Sequence, residues 1–220
     1  MTASPVSIMK KSSWNELAIE QEKLRSLFPE ICNLFKPGCT ELEASRLLQT
    51  FLKNRGLAQN WHPPVIKFEE STLKPGVRHK PSQDISYQNI AYLDLGLVMN
   101  GYEVDYGATL SSGSDPSINR LVETAKKLLK DGQQKLENES YKWSPAKLHA
   151  WIQEQACKAG YETLSYHVGH SLGPFPTPKK DYLISEKNPA NSFAQGAWVV
   201  EIHIGNGKWG AFFEDLAFVN

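Results

Sequence analysis

The sequence predicts an α+β domain in which one antiparallel sheet is covered by two pairs of helices. Two Asn-Gly turns, at residues 100–101 and 206–207, each lie between apolar runs, and this pattern is typical of tight β-hairpins. Two capped helical stretches, at residues 40–56 and 144–160, are equally long and each precedes one hairpin. This repetition predicts a duplicated helix, helix, strand, hairpin unit and therefore a pseudo-symmetric fold.

Four helices are expected because each has a capping signal at its start or a helix breaker at its end. The starts are Ser13 with Glu16, Thr40 with Glu43, Asp115-Pro116 and Ser144-Pro145, and the stops are Lys36-Pro37-Gly38, Gly56 and Gly160. The polar, proline-containing segment 69–88 is expected to be an irregular loop before the first hairpin. We expect residues 1–12 to be a flexible segment and residues 13–220 to form a single catalytic domain.

The first hairpin carries two aspartates. If residues 100–101 form a two-residue loop, Gly96 pairs with Asp105, and Asp94 lies two positions further along the strand. Since side chains alternate between the faces of a strand, both aspartates point to one face as diagonal neighbours. The hairpin contains no Lys or Arg between residues 90 and 111. The sequence therefore predicts two carboxylates in an apolar setting without a basic partner.

The second hairpin repeats this arrangement with glutamates. A two-residue loop at 206–207 would pair residue 201 with residue 212 and place Glu201 and Glu214 diagonally on one face. Lys208 is the only basic residue between 196 and 219. A buried carboxylate must be paired, protonated or bound to a metal. A divalent metal is therefore the leading candidate, although single acids could instead be solvated residues at a strand edge.

Composition narrows the possible partners. The 220 residues include 24 basic and 24 acidic side chains, so nothing indicates a nucleic acid partner, and no apolar run is long enough for a membrane span. The three cysteines, Cys32, Cys39 and Cys157, are not spaced as a metal knuckle, and a cytoplasmic location is the default expectation. The expected partner is a small peptide or small-molecule substrate, and a homodimer remains open.

A histidine completes the predicted metal site. His170 lies in the sequence His167-Val168-Gly169-His170-Ser171-Leu172-Gly173. Four carboxylates and one imidazole carry about four negative charges, which two divalent cations would neutralise. A set rich in oxygen with one nitrogen suits Mn, Fe, Co or Zn at a two-metal hydrolytic centre.

These residues also carry a resemblance. The chain resembles the pita-bread metallopeptidase family, which contains methionine aminopeptidases, proline-specific aminopeptidases and prolidases. The match to the family's metal motif consists of Asp94, Asp105, His170 in Gly169-His170-Ser171-Leu172-Gly173, Glu201, and Glu214 in Glu214-Asp215. The resemblance implies the pita-bread fold and two divalent ions chosen from Mn, Co, Fe and Zn, with Mn favoured.

The resemblance also implies a role for each ligand. Asp105 and Glu214 would bridge the two metals, Asp94 would bind one of them, and His170 and Glu201 would complete the other. A hydroxide bridging the metals would be the nucleophile. Glu201 would take a proton from the attacking water and pass it to the leaving nitrogen.

Five further residues concern the substrate. His79 resembles the family histidine that hydrogen-bonds the scissile carbonyl, which would make it catalytic. His62, which precedes Pro63-Pro64, is placed to line the cleft, with a packing role equally open. His203, two residues beyond Glu201, would orient a ligand or line the pocket. Thr177 stands where many relatives carry a second substrate histidine, and Ala108 stands where proline-specific relatives carry arginine.

The sequence thus predicts a dinuclear metal-dependent hydrolase of peptide or amide C–N bonds. It would be similar to an aminopeptidase, acting beside proline or a small N-terminal residue. Two alternatives remain at this point. One is a non-peptidase metal-binding or scaffold protein that retains the fold, and the other is a hydrolase of C–N bonds in small molecules.

Overall fold

The protein is described here by a computed structural model that covers residues 11–76, 80–177 and 183–220. Residues 1–10 of the expected N-terminal segment lie outside these ranges. The helices are α1 (Lys11–Cys32), α2 (Glu41–Asn54), α3 (Pro116–Glu139) and α4 (Pro145–Lys158). The strands are β1 (Val65–Phe68), β2 (Ile90–Met99), β3 (Tyr102–Ser111), β4 (Glu162–Thr163), β5 (Gly169–Leu172), β6 (Gly196–Gly205) and β7 (Gly210–Val219).

Three of the four predicted helix starts are confirmed. Thr40 forms a complete capping box at α2, and the side chains of Asp115 and Ser144 accept hydrogen bonds at the starts of α3 and α4. The prediction for Ser13 is wrong, because α1 already begins at Lys11. Neither Lys11 nor Ser12 is a helix breaker, so the helix includes both residues upstream of Ser13.

The sheet has the predicted pseudo-symmetric arrangement. Its strand order is β1-β2-β3-β7-β6-β4, with β5 also paired to β6, and every pairing is antiparallel. The two hairpins, β2-β3 and β6-β7, therefore meet at the centre, and each is flanked by short strands from its own half of the chain. The predicted α+β class is confirmed.

The two hairpins differ in register. The first pairs Gly96 with Asp105, as predicted. The second pairs Glu201 with Glu214, so the predicted pairing of residue 201 with residue 212 is wrong. Its loop has four residues, since the Asn206 side-chain oxygen accepts hydrogen bonds from the backbone N–H groups of Lys208 and Trp209. A loop of four residues, like one of two, has an even number of residues, so the side chains of both glutamates still point to one face.

The helices pack on the face opposite these acids. Phe28 of α1 meets the ring of Tyr106 edge-on, with centroids 5.0 Å apart, and Gly132 of α3 lies against Val200 of β6. Arg25 of α1 forms an ion pair of 2.7 Å with Asp215 on β7. One face of the sheet is thus covered by the helices and the main apolar core, and the other carries the acids. No helix in the described ranges is both long enough and apolar enough to cross a membrane.

Candidate metal centre

A row of positions crosses the middle of the sheet, with one residue on each of four adjacent strands. Asp94 pairs with Gly107, Gly107 pairs with Glu214, and Glu214 pairs with Glu201. A Cβ on Gly107 would lie 2.9 Å from Glu214 Oε1 and 2.4 Å from a ring carbon of Phe212. Glycine at this position therefore makes room for the Glu214 carboxyl group, and three carboxyl groups from both hairpins line one cavity.

Asp105 lies between two histidines. Its Oδ2 is 3.0 Å from His170 Nε2, and its Oδ1 is 3.4 Å from His62 Nε2. Only 1% of its surface is exposed. The imidazoles of His170 and His62 lower the pKa of Asp105 to about 2 against the effect of burial. Asp105 is therefore ionised at neutral pH and offers one oxygen to each side of the site.

The glutamates are shifted in the opposite direction. Burial and the charges of Asp94 and Asp105 raise the pKa of Glu201 to about 8, and burial with the same two neighbours raises the pKa of Glu214 well above its usual value. Burial is the larger cause, and repulsion among the neighbouring carboxyl groups adds to it. Protons on the glutamates reduce this repulsion, and a divalent cation would replace them.

Two oxygens of the cluster have no partner. Asp94 Oδ1 and Glu214 Oε1 are buried and make no hydrogen bond to any described residue. Asp94 Oδ1 does lie 3.2 Å from His62 Nε2, but this contact lacks hydrogen-bonding geometry. Unsatisfied carboxyl oxygens together with imidazole nitrogens form a donor set that divalent transition ions bind. Two groups within the site have suitable ligand spacing: Asp105, His170 and Glu214 in one, and His62, Asp94 and Asp105 in the other.

The expected substrate contact of His203 needs correction. Its ring is 3% exposed, bonds the backbone oxygen of Thr72 through Nε2 at 2.7 Å, and packs against Tyr92 and Phe212. His203 does not line the cavity. The alternation of side chains along the strand correctly placed His203 on the same face as Glu201. That face extends beyond the cavity, however, and the segment that contains Thr72 covers it at His203. His203 is therefore a core residue.

The cavity has a volume of about 420 Å³ and opens beside the acid cluster. Thr177 and His62 line it, and the Thr177 backbone N–H donates to Glu103 at 2.9 Å. His79 lies outside the described residues. His167 also lines the cavity, with Nδ1 3.3 Å from Glu201 Oε2, and burial lowers its pKa to about 4.

Sequence analysis missed Glu103, which is 1% exposed and lines the same cavity. The sequence does predict this position, because Glu103 is two residues before Asp105 on one strand and must therefore share its face. Ala108 points to the other face, where it is buried in the apolar core beside Leu93. An arginine at this position could not reach the cavity without a change in the strand.

The pseudo-symmetric sheet thus carries one cluster of carboxyl groups and imidazoles that could hold metal ions. The chain belongs to metallopeptidase family M24, whose profile it matches over residues 20–220. This family depends on divalent metal ions, and the buried carboxylates and imidazoles fit that requirement. No curated protein matches the sequence at a significant level.

Solved structures share the fold at low sequence identity. An X-Pro aminopeptidase from Thermotoga maritima is 15% identical with a TM-score of 0.79, and the match covers 96% of this chain and 59% of that one. A prolidase from Thermococcus sibiricus is 20% identical, with a TM-score of 0.80 and coverage of 98% and 58%. A methionine aminopeptidase from Rickettsia prowazekii is 16% identical, with a TM-score of 0.73 and coverage of 98% and 96%. The chain thus spans less than two thirds of the first two structures.

Proposed function

We propose that the protein is an aminopeptidase-like hydrolase that cleaves peptide or amide C–N bonds with two divalent metal ions. The observation that carries this proposal is the convergence of four buried carboxyl groups and an imidazole on one cavity. Such a cluster is costly without cations, because burial penalises every ionised group. The family assignment supports the same reaction class.

The contacts support the ligand assignment that the family resemblance implies. Asp105 and Glu214 would be shared between the ions, since each lies centrally, and Asp105 has its two oxygens directed at different imidazoles. Asp94 would serve the ion on the side of the first hairpin. His170 and Glu201 would serve the other ion. Mn is the preferred candidate because oxygen ligands predominate, with Co, Fe and Zn as alternatives.

Bound divalent ions would act as Lewis acids and lower the pKa of water enough to supply hydroxide as the nucleophile near neutral pH. Glu201 is suited to the proton transfer, because its carboxyl group lines the cavity beside the proposed metal positions. His167, in contact with Glu201 Oε2, would orient this carboxyl group. His79 remains the proposed donor to the scissile carbonyl.

The cavity supports a small substrate. Its volume of about 420 Å³ is near the lower end of the range for small-ligand sites. Thr177 supplies a backbone N–H already engaged by Glu103 and no imidazole, so substrate is held differently from relatives that have a histidine there. A dipeptide or small amide with proline or another small residue next to the scissile bond would fit.

A substrate panel tests the proposal. Protein loaded with Mn²⁺ or Co²⁺ would be assayed on Xaa-Pro dipeptides, Met-Xaa peptides and small non-peptide amides, with Glu201→Gln as the matched inactive control. Turnover of at least one peptide class, lost on chelation and restored by Mn²⁺, is the expected result. Full metal occupancy without turnover on any peptide would contradict peptidase activity and favour a non-peptidase metal-binding protein. Turnover of the non-peptide amides alone would favour a small-molecule hydrolase.

A further inference from the structure

His62 is held over the first hairpin by its own short segment. Residues 59–61 run antiparallel to β2: Val98 N–H donates to the Gln59 oxygen at 2.9 Å, and Trp61 N–H donates to the Gly96 oxygen at 3.0 Å. The Trp61 indole N–H also donates to the Val104 backbone oxygen at 3.0 Å. Three hydrogen bonds to β2 and β3 therefore fix the backbone immediately before His62.

The strand below is shaped to receive the imidazole. A Cβ on Gly96 would lie 2.0 Å from His62 Cδ2 and 2.2 Å from His62 Nε2. Only glycine at this position allows the ring to reach the acids. Pro63 follows His62 and restricts its backbone to extended conformations. The ring is thus preorganised over the carboxylates by neighbours on both sides of the chain.

The orientation of the His62 ring matches that of His170. Each ring places Nδ1 against the backbone oxygen of the following residue, Pro63 at 2.9 Å and Ser171 at 3.1 Å. A carbonyl oxygen can only accept, so Nδ1 carries a proton in both rings. In each neutral imidazole the Nε2 lone pair then faces the carboxylates, and a backbone bond of this kind commonly sets the tautomer of a metal-ligating histidine.

The distances also agree with a shared ion. Bonds of about 2.1 Å to nitrogen and oxygen place neighbouring ligand atoms about 3.0–3.4 Å apart at octahedral to tetrahedral angles. His62 Nε2 lies 3.2 Å from Asp94 Oδ1 and 3.4 Å from Asp105 Oδ1. We infer that His62 is a direct ligand of the metal ion held by Asp94 and Asp105.

This inference rests on the proposed two-metal function and extends it. Each half of the pseudo-symmetric chain would contribute one imidazole, His62 to the first ion and His170 to the second, with Asp105 between them. Because His62 would give the first ion a nitrogen ligand, it shifts the preference of that ion away from Mn²⁺ and toward Co²⁺ or Zn²⁺. With His62 as a ligand, the two metal positions would differ less from each other in ligand type than they would if His170 were the one histidine ligand.

The test counts ligating imidazoles directly. In protein loaded with two equivalents of Co²⁺, the Nδ1–H proton of each ligating histidine gives a strongly shifted, solvent-exchangeable signal in the proton NMR spectrum. The variants are His62→Ala, His170→Ala and Gly96→Ala, whose added methyl group displaces the His62 ring without removing it. Thr177→Ala is the control, because Thr177 lines the cavity but belongs to neither ligand group. Thermal unfolding checks that each variant is folded.

Two shifted signals are expected for the unmodified protein and for Thr177→Ala. His62→Ala and Gly96→Ala should each lose the same one signal, and His170→Ala should lose the other. Calorimetric titration with Co²⁺ should show one site weakened in His62→Ala by more than the roughly 100-fold seen for changes outside the ligand shell. Two bound Co²⁺ ions with one shifted signal that survives in His62→Ala would overturn the inference and leave the two-metal function standing. Failure of the unmodified protein to bind Co²⁺ would overturn both.

Discussion

The two halves of the chain repeat one backbone plan with different acid chemistry. In the first hairpin Asp94 and Asp105 are diagonal neighbours, and in the second Glu201 and Glu214 are directly opposite. Two imidazoles lower the pKa of Asp105, whereas burial and neighbouring carboxylates raise the pKa of both glutamates. The first half therefore supplies a carboxylate that stays ionised at neutral pH, and the second supplies carboxyl groups that keep their protons to higher pH.

The largest expected effect comes from removing the group that links the halves. Asp105→Asn should lose most of both metal ions, because Asp105 directs one oxygen to each side of the site. Elemental analysis of purified protein measures the content. Asp215→Asn is the matched control, since Asp215 neighbours Glu214 but forms its ion pair with Arg25 on the helix-covered face. Equal metal content in folded Asp105→Asn and unmodified protein would show that the halves do not share this carboxylate.

A smaller effect is expected when the Glu201 side chain can no longer transfer a proton. Glu201→Gln should reduce kcat by roughly 10²–10⁴-fold, the usual range for losing a general acid-base. The ion on the side of Asp94 should remain bound. Parallel measurement of metal content and kcat at saturating substrate distinguishes lost chemistry from lost metal. Unchanged kcat would assign the proton transfer to another residue, with His167 the nearest candidate.

The pH dependence of the stability of the metal-free protein tests the difference in pKa values between the two halves. The pKa of Glu201 is raised from 4.5 to about 8, and that of His62 from 6.5 to about 11. The native state holds these protons more tightly than the unfolded state, so their stabilisation is present at low pH and is lost as the pH rises. The lowered pKa values of His167 and His203, about 4 from 6.5, act in the opposite direction but only below 6.5.

Between pH 6.5 and 8 the stability of chelator-treated protein should therefore fall as the pH rises. The slope is at most about 1.4 kcal/mol per pH unit for each proton involved. Thermal unfolding across this range provides the measurement. Added Mn²⁺ should reverse the trend, because ligands must lose protons to bind metal. A metal-free midpoint that stays level or rises over this range would contradict the assigned charges.

The smallest effect concerns the ion pair between Arg25 and Asp215 on the helix-covered face of the sheet. Arg25→Met should cost about 1 kcal/mol or less in the free energy of unfolding, because its guanidinium is partly exposed and screened by solvent. Chemical denaturation measures this cost, and metal content should not change. Loss of metal in this variant would mean that the helix face and the site are coupled through Asp215.

Sequence alone predicted the fold class, three helix starts and the shared face of all four acids, because these depend on local capping and strand parity. It failed at residues 206–209, where a side-chain oxygen builds a four-residue turn that the Asn-Gly pattern does not reveal. It also failed at His203, since parity cannot indicate where a cavity ends. The contact of His62 with Asp94 and Asp105 depends on Gly96 and on pairing with a distant strand, neither of which leaves a periodic signal.

Anomalous diffraction from crystals grown with Mn²⁺ tests the two-metal centre most directly. The account predicts two peaks at the sheet centre, one between Asp94 and Asp105, and one among Asp105, His170 and Glu201, with Glu214 contacting both. A single peak, or none, at this place despite saturating Mn²⁺ would contradict it.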